Sequence, residues 1–331
     1  MLYGNYRFIC RFETEACLPR YKGSAFRGLF GRALKKTVCA LKRQQCPDCI
    51  LRERCFYVRV FETELLSETG TNARVSAAPH PFVIEPSAES KTHYDQGEKL
   101  HCSLLLFGEC NRNLPYFVYA FEQMGLVGMG KRADGRLGRF AIEAVLCGDE
   151  IIYSENDKVL KATDFTKELS LAGAVLPHCT VPVNKKGNCF TADPSSEDQA
   201  SQRIRVSLET PLRFKANGRL RDSLPFDMLV RLMLRRVSSL MSAYGGGEPP
   251  LDYSGMVRRA GAVRTVESRL RWFDWRRYSS RQEKSMQLGG LLGDVTYQGE
   301  LGEFLPLLEF CSHVHIGKQT SFGLGKISCY C

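Results

Sequence analysis

Near its end the chain carries a segment in which glycines alternate with cationic residues, a combination that suits phosphate binding. Gly317 and Lys318 open the segment, and Gly323, Gly325 and Lys326 close it. Glycine adopts positive φ without steric cost, so successive backbone amides can point into one concavity, and the lysines add positive charge. A single segment of this kind is equally typical of an ordinary tight turn.

The same pattern occurs a second time, earlier in the chain. Residues 130–140, which include Gly130-Lys131 and Leu137-Gly138-Arg139-Phe140, align without a gap on residues 317–327. Each copy follows an apolar helical pattern and leads into a predicted strand. This shared position, more than the matching residues, indicates an internal duplication.

Four of the 14 cysteines, Cys39, Cys46, Cys49 and Cys55, form a cluster. Two thiolates separated by two residues, as in Cys46-Pro-Asp-Cys49, can face one tetrahedral ion, which predicts a structural zinc site. Because four thiolates leave no coordination position open, the site would not be catalytic. An iron–sulfur cluster and a hairpin of reduced thiols without metal are the alternatives.

The second half contains a basic stretch in which both tryptophans of the chain lie among arginines. Arg269, Arg271, Trp275 and Arg276 belong to it. Arginine pairs with phosphates and tryptophan stacks on bases, so the combination favours binding of single-stranded RNA. The alternative is a solvated charged face, with Trp272 packed in the core.

Proton transfer would need a titratable side chain beside these segments. Of the six histidines, His315 borders the second glycine-rich segment, whereas His80 and His93 are expected to be exposed in loops. Tyr21 and Lys22 lie between the first predicted strand and the first predicted helix.

Hydrophobic periodicity predicts the elements that must position these residues. In the first half the order is β-α-β-β-α-β, at residues 6–15, 23–42, 56–64, 100–107, 114–125 and 139–147. The second half repeats it at residues 204–208, 225–244, 263–272, 286–298 and 302–311, with a last strand after the second glycine-rich segment. Some strand is also expected around residues 174–183. The sequence therefore predicts an α+β protein of two tandem ferredoxin-like (RRM-like) domains, with the cysteine cluster as an insertion at 39–55 in the first.

Length and composition agree with two domains. The chain has 331 residues, and we expect domains at 1–152 and 203–331 joined by a connecting segment at 153–202. The formal net charge of +10 favours an anionic partner. The start has no apolar signal core and no later run could span a membrane, which predicts a cytoplasmic protein without membrane association.

Several sequence phrases occur together in one known family. They are Leu18-Pro-Arg-Tyr-Lys-Gly-Ser-Ala-Phe-Arg-Gly, Cys55-Phe-Tyr, Gly128-Met-Gly-Lys, Trp272-Phe-Asp-Trp, Gly289-Gly-Leu-Leu-Gly and the segment from Gly317 to Lys326. With this combination the chain resembles the CRISPR-associated endoribonucleases of the RAMP superfamily, which cut precursor CRISPR RNA within its repeats. The resemblance covers nearly the whole chain. The cysteine cluster and the tryptophan phrase are more specific than the glycine-rich segment, which the whole superfamily shares.

The resemblance implies cleavage without a catalytic metal: a 2′-hydroxyl attacks the adjacent phosphate, leaving a 2′,3′-cyclic phosphate and a 5′-hydroxyl. In the family the base is often a histidine in or beside the first helix, but residues 18–39 contain none. The resemblance therefore suggests Tyr21, Lys22 and His315 as catalytic candidates, with Lys318 stabilising charge. Together, the glycine-rich segments, the basic stretch and the resemblance suggest these residues for RNA binding: Lys131, Arg132, Arg269, Arg271, Trp275, Arg276, Gly317, Lys318, Gln319, Thr320, Ser321, Gly323, Gly325 and Lys326.

The implied partner is CRISPR repeat RNA or precursor crRNA, and subunits of a CRISPR effector complex are further candidates. A second hypothesis is a non-catalytic RAMP subunit that holds guide RNA, which the missing helix histidine favours. A metal-dependent nuclease or DNA-binding protein that uses the cysteines is the third. It is the least favoured, because four thiolates saturate zinc and no carboxylate pair accompanies them.

Overall fold

The structure, a computed structural model, describes residues 1–42, 44–66, 78–133, 135–161, 165–171, 202–216, 219–279 and 284–330. Contacts divide the chain into two units. The first consists of Met1–Leu169 with Ser239–Glu248 and Ser321–Gly323, and the second consists of Ser170–Ser238, Pro249–Thr320 and Leu324–Cys331. The strand expected around residues 174–183 lies outside the described residues.

The elements of the first unit alternate between strands and helices. Its strands are β1 (Leu2–Phe12), β2 (Ala16–Cys17), β3 (Phe82–Pro86), β4 (His93–Tyr94), β5 (Lys99–Phe107), β6 (Met129–Ala133), β7 (Arg136–Gly138), β8 (Phe140–Cys147), β9 (Glu150–Ser154) and β10 (Lys167–Glu168). Its helices are α1 (Gly23–Val38), α2 (Phe56–Phe61) and α3 (Leu114–Val127).

β1 lies in the middle of the main sheet, whose strands follow the order β3-β5-β1-β8-β9. It pairs antiparallel with β5 on one side and with β8 on the other, and β10 adds a short pair at its start. Its alternate residues Tyr6, Phe8, Cys10 and Phe12 are buried. This period of two is the pattern of a strand with one face on the core, so the strand predicted for this part of the chain is confirmed.

Helices α1 and α3 pack on the buried face of this sheet through aromatic side chains. The rings of Phe8 and Phe121 are 4.2 Å apart, and those of Phe30 and Phe121 are 5.1 Å apart. Each fully buried phenylalanine contributes about 1.5–3 kcal/mol to stability. Phe26, Phe30 and Leu34 follow the spacing of a helix with one apolar face, so α1 forms as predicted, although it ends at Val38.

The strand predicted for residues 56–64 is wrong, because this part of the chain forms α2 and a 3₁₀ turn at Thr63–Leu66. Its buried residues are Tyr57, Val58, Val60 and Phe61, which is helical spacing. Packing beside α1, with the rings of Phe30 and Phe61 5.6 Å apart, overrides the strand preference of the β-branched residues. β3 is the edge strand that pairs with β5 instead.

A second sheet in the first unit has the order β4-β2-β6-β7. β2 pairs with β4 through Ala16–Tyr94 and Cys17–His93, and with β6 through Cys17–Lys131. β6 and β7 pair with each other, so the first glycine-rich segment forms a β-hairpin.

The second unit is built around another antiparallel sheet. Its strands are β11 (Gln202–Leu212), β12 (Lys215–Ala216), β13 (Arg219–Leu220), β14 (Arg264–Ser268), β15 (Arg271–Ser279), β16 (Lys284–Gly299) and β17 (Ile327–Tyr330). Its helices are α4 (Phe226–Tyr244), whose last residues are counted with the first unit, α5 (Tyr253–Ala260) and α6 (Leu305–Val314). The sheet order is β14-β16-β11-β17, and β15 also pairs with β16.

Two of the elements predicted for the second unit differ in the structure, and α5 was not predicted. The strand expected at 263–272 is two strands, interrupted where the amide of Arg269 donates to the carbonyl of Asp294 at 2.8 Å. The helix expected at 302–311 begins as a 3₁₀ turn at Gly302–Phe304 and continues as α6 to Val314. The predicted α+β class, with several antiparallel sheets, is confirmed.

In the described part of the chain, no helix combines the length and the apolar character needed to cross a membrane.

Candidate functional site

The second glycine-rich segment begins where α6 ends, and a buried arginine fixes this junction. The guanidinium of Arg236, from α4, donates to the carbonyl oxygens of Val314 and His315 at 2.8–3.1 Å. It thereby satisfies carbonyls at a helix end, where a cation is favourable. His315 is fully buried with φ of 58°, and its Nδ1 lies 3.1 Å from the carbonyl oxygen of Leu324. The imidazole therefore connects the two ends of the segment.

Four backbone amides of this segment donate to acceptors within the protein. The amide of Ile316 donates to Gly325 at 2.9 Å and that of Lys318 to Arg213 at 2.8 Å. The amide of Gly325 donates to the carbonyl of Pro211 at 3.2 Å, and the amide of Lys326 donates to Thr210 Oγ1 at 2.8 Å. These four amides shape the segment and are therefore not available to an anion. The Lys318 side chain is exposed, whereas Gly317, Gln319, Thr320 and Lys326 are half-buried and Gly323 and Gly325 are buried.

The first glycine-rich segment makes the corresponding backbone contacts in its own unit. In the first segment Met129 is the strand partner of Gly138, and in the second the amide of Ile316 donates to the carbonyl of Gly325. Likewise, Lys131 is the strand partner of Cys17 in β2, and the amide of Lys318 donates to the carbonyl of Arg213, which follows β11.

The residues that follow the two segments repeat the match. The amide of Arg139 donates to Thr14 Oγ1 at 2.9 Å, and its carbonyl accepts from Glu13 at 2.8 Å. In the second unit the amide of Lys326 donates to Thr210 Oγ1 at 2.8 Å, and its carbonyl accepts from the amide of Glu209 at 3.0 Å. The side chains also pair, with N–O distances of 3.2 Å for Arg139–Glu13 and 3.9 Å for Lys326–Glu209. The sequence reasoning missed these threonines, although the repeated Glu-Thr dipeptide is visible in the sequence.

The middle of the second segment, Ser321–Gly323, is counted with the first unit and packs against the start of α1. Tyr21 Oη donates to the carbonyl oxygen of Phe322 at 2.6 Å, and Arg27 Nε donates to Ser321 Oγ at 3.0 Å. The Arg27 guanidinium also lies 4.5 Å from the centre of the Phe322 ring, a cation–π contact. Burial raises the pKa of Tyr21 above its ordinary value, and Glu85 adds to this. The structure thus brings Tyr21 together with Ser321 and Gly323, through buried contacts.

Arg27 also contacts a histidine that the sequence reasoning left in a loop. Arg27 Nη2 lies 3.0 Å from His80 Nε2, and His80 Nδ1 lies 3.1 Å from the carbonyl oxygen of Val60. Because a guanidinium only donates, Nε2 accepts, and Nδ1 carries the proton that it donates to Val60. This neutral imidazole holds Arg27 in place between the rings of Phe61 and Phe322.

Lys22, one of the predicted catalytic candidates, is fully buried. Its Nζ donates to the backbone carbonyl oxygen of Glu89 at 2.7 Å and lies 5.7 Å from the centre of the Tyr94 ring. Burial lowers the pKa of the Lys22 amine. The lysine holds the chain segment that leads into β4 against the start of α1.

β4 carries His93, an exposed histidine that is separated from the first glycine-rich segment by β2. Its Nδ1 lies 3.0 Å from Thr92 Oγ1. Lys131 and Arg132, on β6, are exposed as well.

The basic stretch of the second unit is exposed along its described part. All five residues of β14 are exposed, and so are Arg269 and Arg271. Arg269 Nε donates to Glu267 at 2.7 Å, and Trp272 Nε1 donates to Asp274 at 2.9 Å. Trp275 and Arg276 lie in β15, but their side chains lie outside what the structure describes.

The four clustered cysteines do not fit a formed metal site. Cys39 directly follows α1, Cys46 begins a 3₁₀ turn that Cys49 follows, and Cys55 precedes α2. All four are half-buried and free of disulfides. Among the described residues, which include all four, no group of three or more histidine, cysteine or acidic side chains could hold a metal ion. The zinc site stays a prediction.

Comparison with known families gives two matches along the chain. Residues 206–327 match the family model of the CRISPR-associated endoribonuclease Cas6, and residues 1–165 match the model AF_1859_N, described as an N-terminal domain. An uncharacterized protein of Archaeoglobus fulgidus is 25% identical over 316 residues, which are 93% of this chain and 91% of that protein.

Solved structures show the same fold. A Cas6 product complex has a TM-score of 0.52 at 14% identity, covering 99% of both chains. Thermus thermophilus Cas6 has a TM-score of 0.53 at 11% identity, covering 99% of this chain and 98% of that one. A chain of a partial Cas6-RT-Cas1–Cas2 complex has a TM-score of 0.55 at 11% identity, covering 99% of this chain and 46% of that one.

At these identities the structures establish the fold alone, whereas the family-model match rests on the sequence. Residues 206–327 of the chain are thus similar in sequence to the CRISPR-associated endoribonuclease Cas6 family.

Proposed function

We propose that this protein binds CRISPR repeat RNA and cleaves precursor crRNA. The observation that carries the proposal is the match of residues 206–327 to the Cas6 endoribonuclease family. The reaction we propose is attack of a 2′-hydroxyl on the adjacent phosphate, giving a 2′,3′-cyclic phosphate and a 5′-hydroxyl, without a catalytic metal. The exposed cations in both units support an RNA partner, because arginine and lysine side chains neutralise phosphates.

We also propose that the two units are tandem ferredoxin-like domains that arose by duplication. In each unit the first strand lies between the third and the fourth strand of the β-α-β-β-α-β order. The matching hydrogen bonds of Arg139 with Glu13 and Thr14, and of Lys326 with Glu209 and Thr210, support a common origin.

The exposed side chains are the RNA contacts that we favour among the predicted set. They are Lys131, Arg132, Arg269, Arg271 and Lys318. For Tyr21, Lys22 and His315 we propose a positioning role, because their polar atoms bond to backbone carbonyls inside the protein. They shape the start of α1 and the second glycine-rich segment.

The experiment is an incubation of the purified protein with its repeat RNA in EDTA. We expect one cut at a defined position, with a cyclic phosphate on the upstream product. A matched RNA with a 2′-deoxy nucleotide at the cut should stay intact, whereas one with the deoxy nucleotide elsewhere should be cut normally. Cleavage of the first deoxy RNA, or no defined cut in the all-ribose RNA, would reject the proposed reaction.

A second candidate function is a non-catalytic subunit that holds guide RNA. The absence of histidine from the fully described helix α1 favours it, together with the burial of Lys22 and His315. Tight repeat binding without any cyclic-phosphate product would support this candidate over the nuclease. Co-purification with other CRISPR subunits would support a place in an effector complex.

We propose that the four cysteines bind structural zinc when the protein folds in its presence, as a member of the four-cysteine subgroup of the family. The Cys46-Pro-Asp-Cys49 spacing and the half-buried thiols support the donor set, although the described arrangement would have to close around the ion. Elemental analysis of purified protein should find about one zinc per chain, and an iron–sulfur cluster would show visible absorption. A protein without either would refute the site.

A further inference from the structure

An exposed histidine and an exposed lysine lie at the same level across neighbouring strands of the second sheet of the first unit (β4-β2-β6-β7); residues paired at one level are called a row here. Cys17, in β2, pairs with His93 on one side and with Lys131 on the other. Directly paired residues of antiparallel strands point to the same face of a sheet, so the three side chains lie on one face. The next row supports this, because Ala16 and Tyr94 pair and are both buried.

The side chains of this row differ in solvent exposure from two of the predicted catalytic candidates. His93 and Lys131 are exposed, whereas Lys22 and His315 are fully buried. Among the described residues, Lys131 has no acidic partner to neutralise it. Neighbouring strands lie about 4.8 Å apart, so the His93 and Lys131 strands are about 10 Å apart across the small Cys17 side chain. That gap accommodates a phosphate between an imidazole and an ammonium group.

Thr92 gives the imidazole a defined orientation. His93 Nδ1 lies 3.0 Å from Thr92 Oγ1. When Nδ1 carries the proton and donates it to the threonine, Nε2 presents its lone pair to solvent, as a base that receives a proton requires. A base, a group that orients it and a neighbouring cation are parts that a catalytic site of this kind needs.

We infer that His93 is the general base of the RNA cleavage and that Lys131 binds the phosphate that is cut, an inference that rests on the proposed function. His93 Nε2 takes the proton as the 2′-oxygen forms its bond to phosphorus. The bond from phosphorus to the 5′-oxygen breaks, and that oxygen leaves with a proton from water. The resulting hydroxide is neutralised by the imidazolium, so the histidine returns to its starting form. Lys131 Nζ balances the charge on the phosphate oxygens.

The test compares single-turnover cleavage of repeat RNA by wild type, His93→Ala, Lys131→Ala and His101→Ala. His101 is the matched control, an exposed histidine on β5 in the other sheet of the same unit. We expect His93→Ala to lower the cleavage rate by about 10²–10⁴-fold. Its Kd for an RNA with a 2′-deoxy nucleotide at the cut should stay within about twofold of wild type, because a general base acts in the transition state. Lys131→Ala should weaken binding and slow cleavage, and His101→Ala should do neither.

Added imidazole should restore part of the His93→Ala rate, which a merely structural role would not allow. Circular dichroism checks that each variant is folded. A folded His93→Ala that cuts within threefold of wild type overturns the inference and leaves the proposed function intact. Wild-type protein that cuts no repeat RNA rejects the proposed function itself, and the inference with it.

Discussion

The two glycine-rich segments have matching ends and different middles. At both ends the same backbone hydrogen bonds recur, through Met129 and Gly138 in the first and through Ile316 and Gly325 in the second. Between these ends the first segment is a β-hairpin, whereas the second contains a 3₁₀ turn at Thr320–Phe322. The shared glycine and cation pattern therefore encodes contacts inside each unit, and we expect specificity for a ligand to come from the side chains that differ.

The side chains of the two middles face different surroundings. In the first segment Lys131 and Arg132 are exposed on β6. In the second, Ser321 and Phe322 are buried, and they bond to Arg27 and Tyr21. The hairpin is therefore able to contact a partner, while the turn packs inside the first unit. Two substitutions, each with a matched control, test this division.

The largest effect is expected from Gly325→Ala. A Cβ at this position would lie 1.8 Å from the backbone oxygen of Ile316, and φ is 76°, which alanine rarely adopts. The carbonyl is fixed, so the backbone must shift, and we expect a loss of at least about 3 kcal/mol in the free energy of unfolding. Urea denaturation followed by circular dichroism measures this loss.

Gly135→Ala is the matched control in the tip of the hairpin. Its φ is similar, at 78°, but a Cβ there would have no heavy atom within 4 Å. Only the backbone strain remains, about 1 kcal/mol. Equal losses at the two glycines would contradict the distinction between a tightly packed segment and an open hairpin.

The second largest loss of stability is expected from Tyr21→Phe. The substitution removes the hydroxyl that donates to Phe322 at 2.6 Å and leaves that carbonyl oxygen buried without this donor. We expect a loss of about 1–3 kcal/mol in the free energy of unfolding, because an unsatisfied buried acceptor costs its desolvation. Tyr119→Phe is the control, since Tyr119 is about half exposed on α3. A Tyr21→Phe protein as stable as wild type would show that this bond does not hold the turn in place.

The sequence was sufficient to predict the elements with a strong hydrophobic period. β1, β5, α3 and α4 all form where apolar residues recur with period two or 3.6, or run without interruption. α2 was mistaken for a strand because its six residues are too few for the two periods to separate, and contact with α1 decides between them.

The candidate site was harder to predict, because exposure depends on contacts between distant parts of the chain. Lys22 and His315 lie in or beside loops in the sequence, yet both are fully buried by residues more than eight positions away. His93 was predicted to be exposed in a loop, and it is exposed but lies in a strand. Its alignment with Lys131 depends on the register of two strand pairs, which local sequence does not encode.

The smallest effect, and the most direct test of the duplication, is expected from Thr14→Val and Thr210→Val. Each removes one hydroxyl that accepts a backbone amide, from Arg139 at 2.9 Å and from Lys326 at 2.8 Å. Valine keeps the shape, so each loss reports one hydrogen bond, about 0.5–1.5 kcal/mol. The bond of Thr210 is partly buried and that of Thr14 is exposed, so the loss should be larger at Thr210, where water replaces the acceptor less easily. Measurable losses at both positions would mean that the equivalent hydrogen bond stabilises both units. A loss at one position alone would mean that the two units share the geometry of this contact but not its contribution to stability.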